Sequence, residues 1–182
     1  MKKTAILLAS GYEEVEALTV VDLLRRAQIV CNMVAVGNSI EVTGSHGITV
    51  RADKTLTETE FSEYDGIILP GGMPGTANLA ATERVLDLLR SFHTDGKLTA
   101  AICAAPTVLA KAGLLEGQRA VCYPGMEDEL LGAVVTSDPV AVDGSVITSR
   151  GVGTAIPFAL ALVRYFNGMQ QAETLARSIV YG

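Results

Sequence analysis

The sequence is poor in the residues that build metal centres and disulfide frameworks: its 182 residues include three cysteines and two histidines. Cys31, Cys103 and Cys122 form neither an even set nor a CxxC pair, and only His46 and His93 stand ready to join them on a metal. Structural zinc and a disulfide scaffold are unsupported, and no metal is expected. No apolar run approaches the roughly 20 residues of a membrane span, and the opening MKKTAILLASGYEEVEA turns acidic too early for a secretory signal. The expectation is a soluble cytoplasmic protein with no membrane partner. Basic runs are missing too. Fourteen Lys and Arg against twenty Asp and Glu give a formal charge of −6, which argues against direct nucleic-acid binding. With 49% apolar residues, the chain is long enough to bury a core, and residues 1–182 read as one domain. In a reducing compartment each thiol is either a small core hydrophobe or a reactive centre.

Apolar patterning gives alternating strands and helices. Residues 4–9 form an unbroken apolar run ended by Ser10-Gly11, the pattern of a strand buried on both faces. From Glu13, the residues Val15, Leu18, Val21 and Leu24 recur at helical spacing, with acids in front and Arg25-Arg26 behind. Residues 29–36 read as a second buried strand, which completes a βαβ unit with its ligand side near Ser10-Gly11. Residues 40–52 alternate around Gly44-Ser45-His46-Gly47 as a hairpin or short strands at an edge. Further strands are expected at 66–69, 98–102, 120–123, 134–135, 140–142 and 146–148, and helices at 82–92, 105–112, 154–166 and 169–180. A Gly-rich turn fills 70–75. This alternation predicts an α/β sandwich with a mainly parallel sheet.

Cys103 follows the strand LTAAI and precedes a helix opened by Ala104-Ala105-Pro106, so it occupies a strand-to-helix turn that presents its side chain outward. Amides at a helix start favour negative charge and are expected to lower the thiol pKa below its free value of about 8.5. The bland alternative is a buried, unreactive cysteine. Pro70-Gly71-Gly72-Met73-Pro74-Gly75 ends a strand where backbone N–H groups can collect an oxyanion, or is simply a tight turn. It lacks a P-loop ending, and no GxGxxG follows the first strand, so no nucleotide cofactor is expected. Glu16 shares the partly apolar face of Val15, Ala17 and Val20. It is either a desolvated carboxyl with a raised pKa or a dipole-favoured surface acid. Cys31 and Cys122 read as core. His46 lies in a Gly-flanked loop, and Arg150 closes a strand where an ion pair with a surface acid is its commonest role.

GYEEVEA at 11–17, YDGIILPGG at 64–72, AAICAAP at 100–106 and DGSVITSRGVGT at 143–154 occur together in order. In these segments the chain resembles the ThiJ/PfpI superfamily, specifically its DJ-1 branch, over nearly its whole length. The resemblance implies a flavodoxin-like three-layer sandwich, a homodimer and an oxidation-sensitive cysteine at the nucleophile turn. By motif, Cys103 would be the nucleophile and Glu16 the protonated carboxyl beside its sulfur, with Gly72 and Ala104 supplying oxyanion-directed amides. Gly71, Tyr123, Ser149 and Arg150 would support the site or line the substrate pocket, and the segment around His46 would approach it, from the partner subunit or from its own chain. Two departures matter. Tyr123-Pro124 stands where the DJ-1 branch has a histidine before its proline. Ala104 stands where the PfpI branch has a histidine after its cysteine, which removes a Cys-His peptidase dyad. The implied activity is cofactor-independent conversion of small reactive aldehydes, of glyoxalase or deglycase type, turning methylglyoxal into lactate. The alternative is a redox-sensing stress chaperone whose Cys103 oxidises to a sulfinate. A thiazole-phosphate role, a label attached to the superfamily, finds no phosphate loop in these residues.

Overall fold

In the computed structural model, which describes residues 1–182, the first apolar run forms β1 (Lys3–Ala9), buried from Thr4 onward because both of its faces are covered. The chain turns into α1 (Glu14–Arg26), with acids in its first turn and Arg25 and Arg26 in its last. β2 (Val30–Val36) then lies parallel to β1, with Lys3 opposite Val30 and Ala9 opposite Val36. β3 (Glu41–Thr43) and β4 (Thr49–Arg51) form the expected hairpin as a separate two-stranded sheet, and the short β5 (Lys54–Thr55) extends the edge beyond β2. Next come β6 (Gly66–Leu69), α2 (Gly75–Ala81), α3 (Glu83–Thr94), β7 (Leu98–Ile102) and α4 (Pro106–Lys111). The chain continues through β8 (Arg119–Ala120), β9 (Val134–Val135), β10 (Val140–Asp143) and β11 (Val146–Ser149), and ends in α5 (Ala155–Asn167) and α6 (Met169–Ser178).

The main sheet runs β10-β11-β7-β6-β1-β2-β5, parallel throughout except for β10, which is antiparallel to β11. Counting only β1, β2, β6, β7 and β11, the spatial order is 2-1-3-4-5, the flavodoxin-like doubly wound arrangement, whose direction reverses between β1 and β6. Helices cover both faces. Val20, Leu24, Phe158 and Leu162 of α1 and α5 pack on one side, and Leu79, Leu89 and Val108 of α2, α3 and α4 on the other. Burying a side chain the size of Phe158 contributes roughly 2–3 kcal/mol, so the two apolar layers clamp the sheet and fix its strand ends.

Three departures from the sequence reading have local causes. The Gly-rich turn gives way to a helix, α2, whose Gly75 lies so close to the Tyr12 backbone that a Cβ would meet the Tyr12 nitrogen at 2.6 Å. Tertiary packing, more than propensity, holds that helix. The strand expected at 120–123 stops at Ala120, because the Val121 amide donates to Thr148 Oγ1 (2.9 Å) and the Tyr123 amide to the Cys103 carbonyl (2.8 Å). α4 is only six residues long, shorter than the helix expected after Cys103.

Candidate active site

The crevice expected at the reversal of strand order is present. Loops after β1, β6, β7 and β11 surround a cavity of about 780 Å³ lined by Glu16, Gly72, Cys103, Tyr123, Arg150 and His46, among others. Cys103 sits at the end of β7 with φ +66°, a left-handed conformation that costs a non-glycine residue about 1–2 kcal/mol. Two backbone bonds hold it there: its amide donates to the Ser149 carbonyl (3.0 Å), and its carbonyl accepts from the Tyr123 amide (2.8 Å). The turn thus projects the sulfur into the cavity, as the strand-turn-helix pattern predicts.

Glu16 is fully buried in the first turns of α1. Its Oε2 accepts the Gly71 amide (2.9 Å), while Oε1 is buried with no protein partner in hydrogen-bond geometry. Gly71 is where the carboxyl and the cysteine converge: a Cβ there would meet Cys103 Cβ at 2.5 Å and Glu16 Oε2 at 2.8 Å. Only a residue without a side chain fits. Burial pushes the Glu16 carboxyl up to about 7, against the counterpull of the Gly71 amide and the Cys103 thiol. The expected desolvated acid is therefore present.

The thiol does not behave as the sequence suggested. Burial, followed by the adjacent Glu16 charge, pushes Cys103 up to about 12, although the amides of Ala104 and Gly72 pull it down. A six-residue helix brings little dipole to offset this. Taken together, the two groups titrate as a pair that keeps one proton between about 7 and about 12. The sulfur is anionic when that proton resides on Glu16, and the Gly72 and Ala104 amides then stabilise the charge. The resemblance aims these two amides at an oxyanion; here they are the groups that pull the Cys103 thiol down.

The other candidate residues divide. Tyr123 and Arg150 line the cavity, Tyr123 half exposed at its mouth. Arg150 forms no ion pair, contrary to the role expected for a strand-end arginine: no carboxylate lies within 4 Å of its guanidinium. Ser149 is fully buried, its hydroxyl turned to the Pro139 carbonyl (2.9 Å) and Thr154 Oγ1 (2.7 Å), so it supports Cys103 through its carbonyl and does not reach the cavity. His46 reaches the cavity wall within this same chain. Its Nδ1 lies 3.0 Å from Glu14 Oε2, and this hydrogen bond raises its pKa.

Two participants have roles that the sequence, which places Glu14 near the crevice, did not assign. Glu14, almost fully buried, anchors the β3–β4 hairpin tip by accepting the amides of His46 (2.8 Å) and Ile48 (3.3 Å). Burial opposes its charge, but the His46 ring and these amides hold it down to about 2. Thr154 fastens the loop after β11 by accepting the Arg150 and Gly151 amides (3.2 and 3.1 Å). Its place three residues after Gly151, at the start of a helical turn, was the available signal. Glu13, Glu14 and His46 offer ligand atoms within 4.8 Å of one another, but Glu14 and His46 are already bonded to each other. No helix is long and apolar enough to cross a membrane.

Residues 2–165 match the DJ-1/PfpI family. The chain is 36% identical over 181 residues to protein dj-1beta of Drosophila melanogaster, covering 98% of this chain and 97% of that one. It is 38% identical to protein DJ-1 homolog B of Arabidopsis thaliana over 94% of its length, but spans 39% of that longer protein. A protein from Pyrococcus abyssi named as a deglycase is 35% identical over 62% of this chain and 68% of its own. Among solved structures, a cysteine-to-alanine variant of a DJ-1 superfamily protein from Salmonella typhimurium superposes with a TM-score of 0.96 at 38% identity, covering both chains completely. Oxidized DJ-1 of Toxoplasma gondii gives 0.96 at 36%, also with complete coverage of both.

Proposed function

The chain belongs to the DJ-1/PfpI family, and from that membership and the Cys103–Glu16 pair we propose that it converts small reactive aldehydes to hydroxy acids without a cofactor. The observation that carries this reading is a buried carboxyl, pushed up to about 7, that converges on Gly71 with a cysteine lining a cavity. In the proposed reaction of methylglyoxal, the Cys103 thiolate adds to the aldehyde carbon, and Glu16 gives its proton to the resulting alkoxide oxygen. The amides of Gly72 and Ala104 steady the charge on sulfur before attack and serve as oxyanion donors during it. Glu16, now a carboxylate, removes the hydrogen from the former aldehyde carbon, and the remaining oxygen-bound proton passes to the neighbouring oxygen. Returning the abstracted proton to the adjacent carbon gives a lactoyl thioester. Water cleaves that ester, releasing lactate and the thiolate; of the two protons set free, one returns to Glu16 and the other goes to solvent. Atoms and electrons balance as an internal redox of one dicarbonyl plus one water.

The name of the Pyrococcus abyssi relative favours a carbonyl-adduct chemistry of this kind, and the homodimer and the small-aldehyde partner belong to the same proposal. The test is a panel of glyoxal, methylglyoxal and simple aldehydes in chelator, without added thiol. Hydroxy acid should form in step with dicarbonyl loss; dicarbonyl loss no faster than in buffer overturns the reading. A second reading, redox sensing, is favoured by the oxidized state of the Toxoplasma gondii relative. There Cys103 would take two oxygens from peroxide and rest as a sulfinate against the Glu16 proton. Selective gain of two oxygens on Cys103 under mild peroxide, with no aldehyde turnover, would single it out.

A further inference from the structure

Arg150 is the one cavity-lining side chain with a permanent positive charge, and nothing in the fold accounts for that charge. Of the other eight arginines, Arg25, Arg26, Arg90 and Arg119 are paired with carboxylates and Arg51, Arg84, Arg164 and Arg177 are not; Arg150 is the unpaired one that lines the cavity with Cys103. Arg150 has no such pair although Glu13 and Glu16 line the same cavity, and the residue is only partly exposed. Its position is fixed by the sheet. In the parallel register of β11 and β7, Ser149 lies opposite Ile102, so the next residues out, Arg150 and Cys103, emerge side by side. Thr154 Oγ1 accepts the Arg150 amide, which pins the backbone from which the guanidinium extends. Gly151 and Gly153 line the same cavity without side chains, and a Cβ at Gly153 would meet nothing within 4 Å.

A guanidinium offers a rigid fork of N–H donors matched to a carboxylate. The proposed reaction ends in a hydroxycarboxylate, for which Arg150 is the one fixed positive charge among the cavity-lining residues. We infer that Arg150 forms a carboxylate subsite beside Cys103, through which the cavity recognises small organic acids and holds the carboxylate that forms at the sulfur. The subsite stands on geometry alone; its role toward product rests on the aldehyde chemistry proposed above.

The test uses paired alkylating probes of nearly equal size that differ in charge. Iodoacetate and iodoacetamide each transfer their methylene carbon to the Cys103 thiolate with loss of iodide. Cys31 and Cys122 are buried, so peptide mass analysis isolates the Cys103 rate. In wild type the ratio of iodoacetate to iodoacetamide rates should exceed that of Arg150→Gln at least tenfold, and Arg150→Lys should lie between. An unchanged ratio in Arg150→Gln overturns the subsite, as does an equal fall of both rates, which would make Arg150 a support for the sulfur. Should the Gln variant not fold, wild type suffices: lactate should protect Cys103 from iodoacetamide and neutral lactamide should not, with equal protection overturning the inference. Because alkylation needs no turnover, a failed ratio beside intact aldehyde activity removes only the subsite. A tenfold fall of the ratio in Arg150→Gln, in a protein whose wild type lacks aldehyde activity, removes only the proposed reaction.

Discussion

Replacing Glu16 by glutamine should change how stability responds to pH before it changes anything else measurable in the fold. Glu16 titrates near 7 in the native protein and near its ordinary 4.5 when unfolded. Between those values the native state holds one proton more than the unfolded state, so stability from this group is full below 4.5 and is lost as pH rises through 7. From pH 5 to pH 8 the loss amounts to about 2.5 kcal/mol. Glutamine cannot titrate, and it keeps the acceptor that receives the Gly71 amide. Urea unfolding of both proteins at pH 5 and pH 8, at one fixed protein concentration, gives four free energies. Relative to wild type, Glu16→Gln should gain about 2.5 kcal/mol between the two pH values. Two lines that stay parallel within about 0.5 kcal/mol would mean that the carboxyl ionises as a surface acid does, and the shared-proton pair would be refuted.

Other outcomes follow from the same geometry. Gly71→Ala forces a methyl against Cys103 Cβ and Glu16 Oε2, so it should cost about 1–3 kcal/mol and most of the aldehyde activity, read by chemical unfolding and turnover together. Cys103→Gly should be more stable than Cys103→Ala by about 1 kcal/mol, because only glycine holds φ +66° without strain; the reverse order would mean that the turn relaxes when the sulfur is gone. Glu14→Gln should cost about 1–2 kcal/mol at pH 7, since the His46 and Ile48 amides lose a charged acceptor. Its lowered pKa means that this stability is present above 4.5 and lost as pH falls through about 2, so unfolding midpoints of the two proteins should converge toward that pH.

Much of this arrangement is legible in the chain because single-strand patterns and turn chemistry are local. The strands at 66–69 and 98–102 fall where their apolar runs begin and end, since both are buried on two faces, one bounded by Asp65 and Pro70 and the other by Lys97 and the Cys103 turn. The strand-to-helix junction of Cys103 and the apolar helix face of Glu16 are visible locally, but it is the family resemblance that singles the two residues out. What escaped depends on contacts distant in sequence. The charge state of Cys103 is set by burial and by a carboxyl 87 positions away, which no local propensity encodes. α2 exists because the Tyr12 loop receives it, and the grip of Glu14 on the hairpin tip spans 32 positions. Ser149 supports the turn through its carbonyl, because strand alternation sends its hydroxyl inward and the next side chain out.

The most direct measurement compares initial rates of lactate formation from methylglyoxal by wild type and Cys103→Ser, each folded and in the same buffer without added thiol. A serine hydroxyl beside Glu16 cannot supply the anionic nucleophile, so the expected result is a rate in the variant at least about a thousandfold lower, reaching the buffer background. Lactate formed by Cys103→Ser within twofold of the wild-type rate would contradict a chemistry centred on this sulfur.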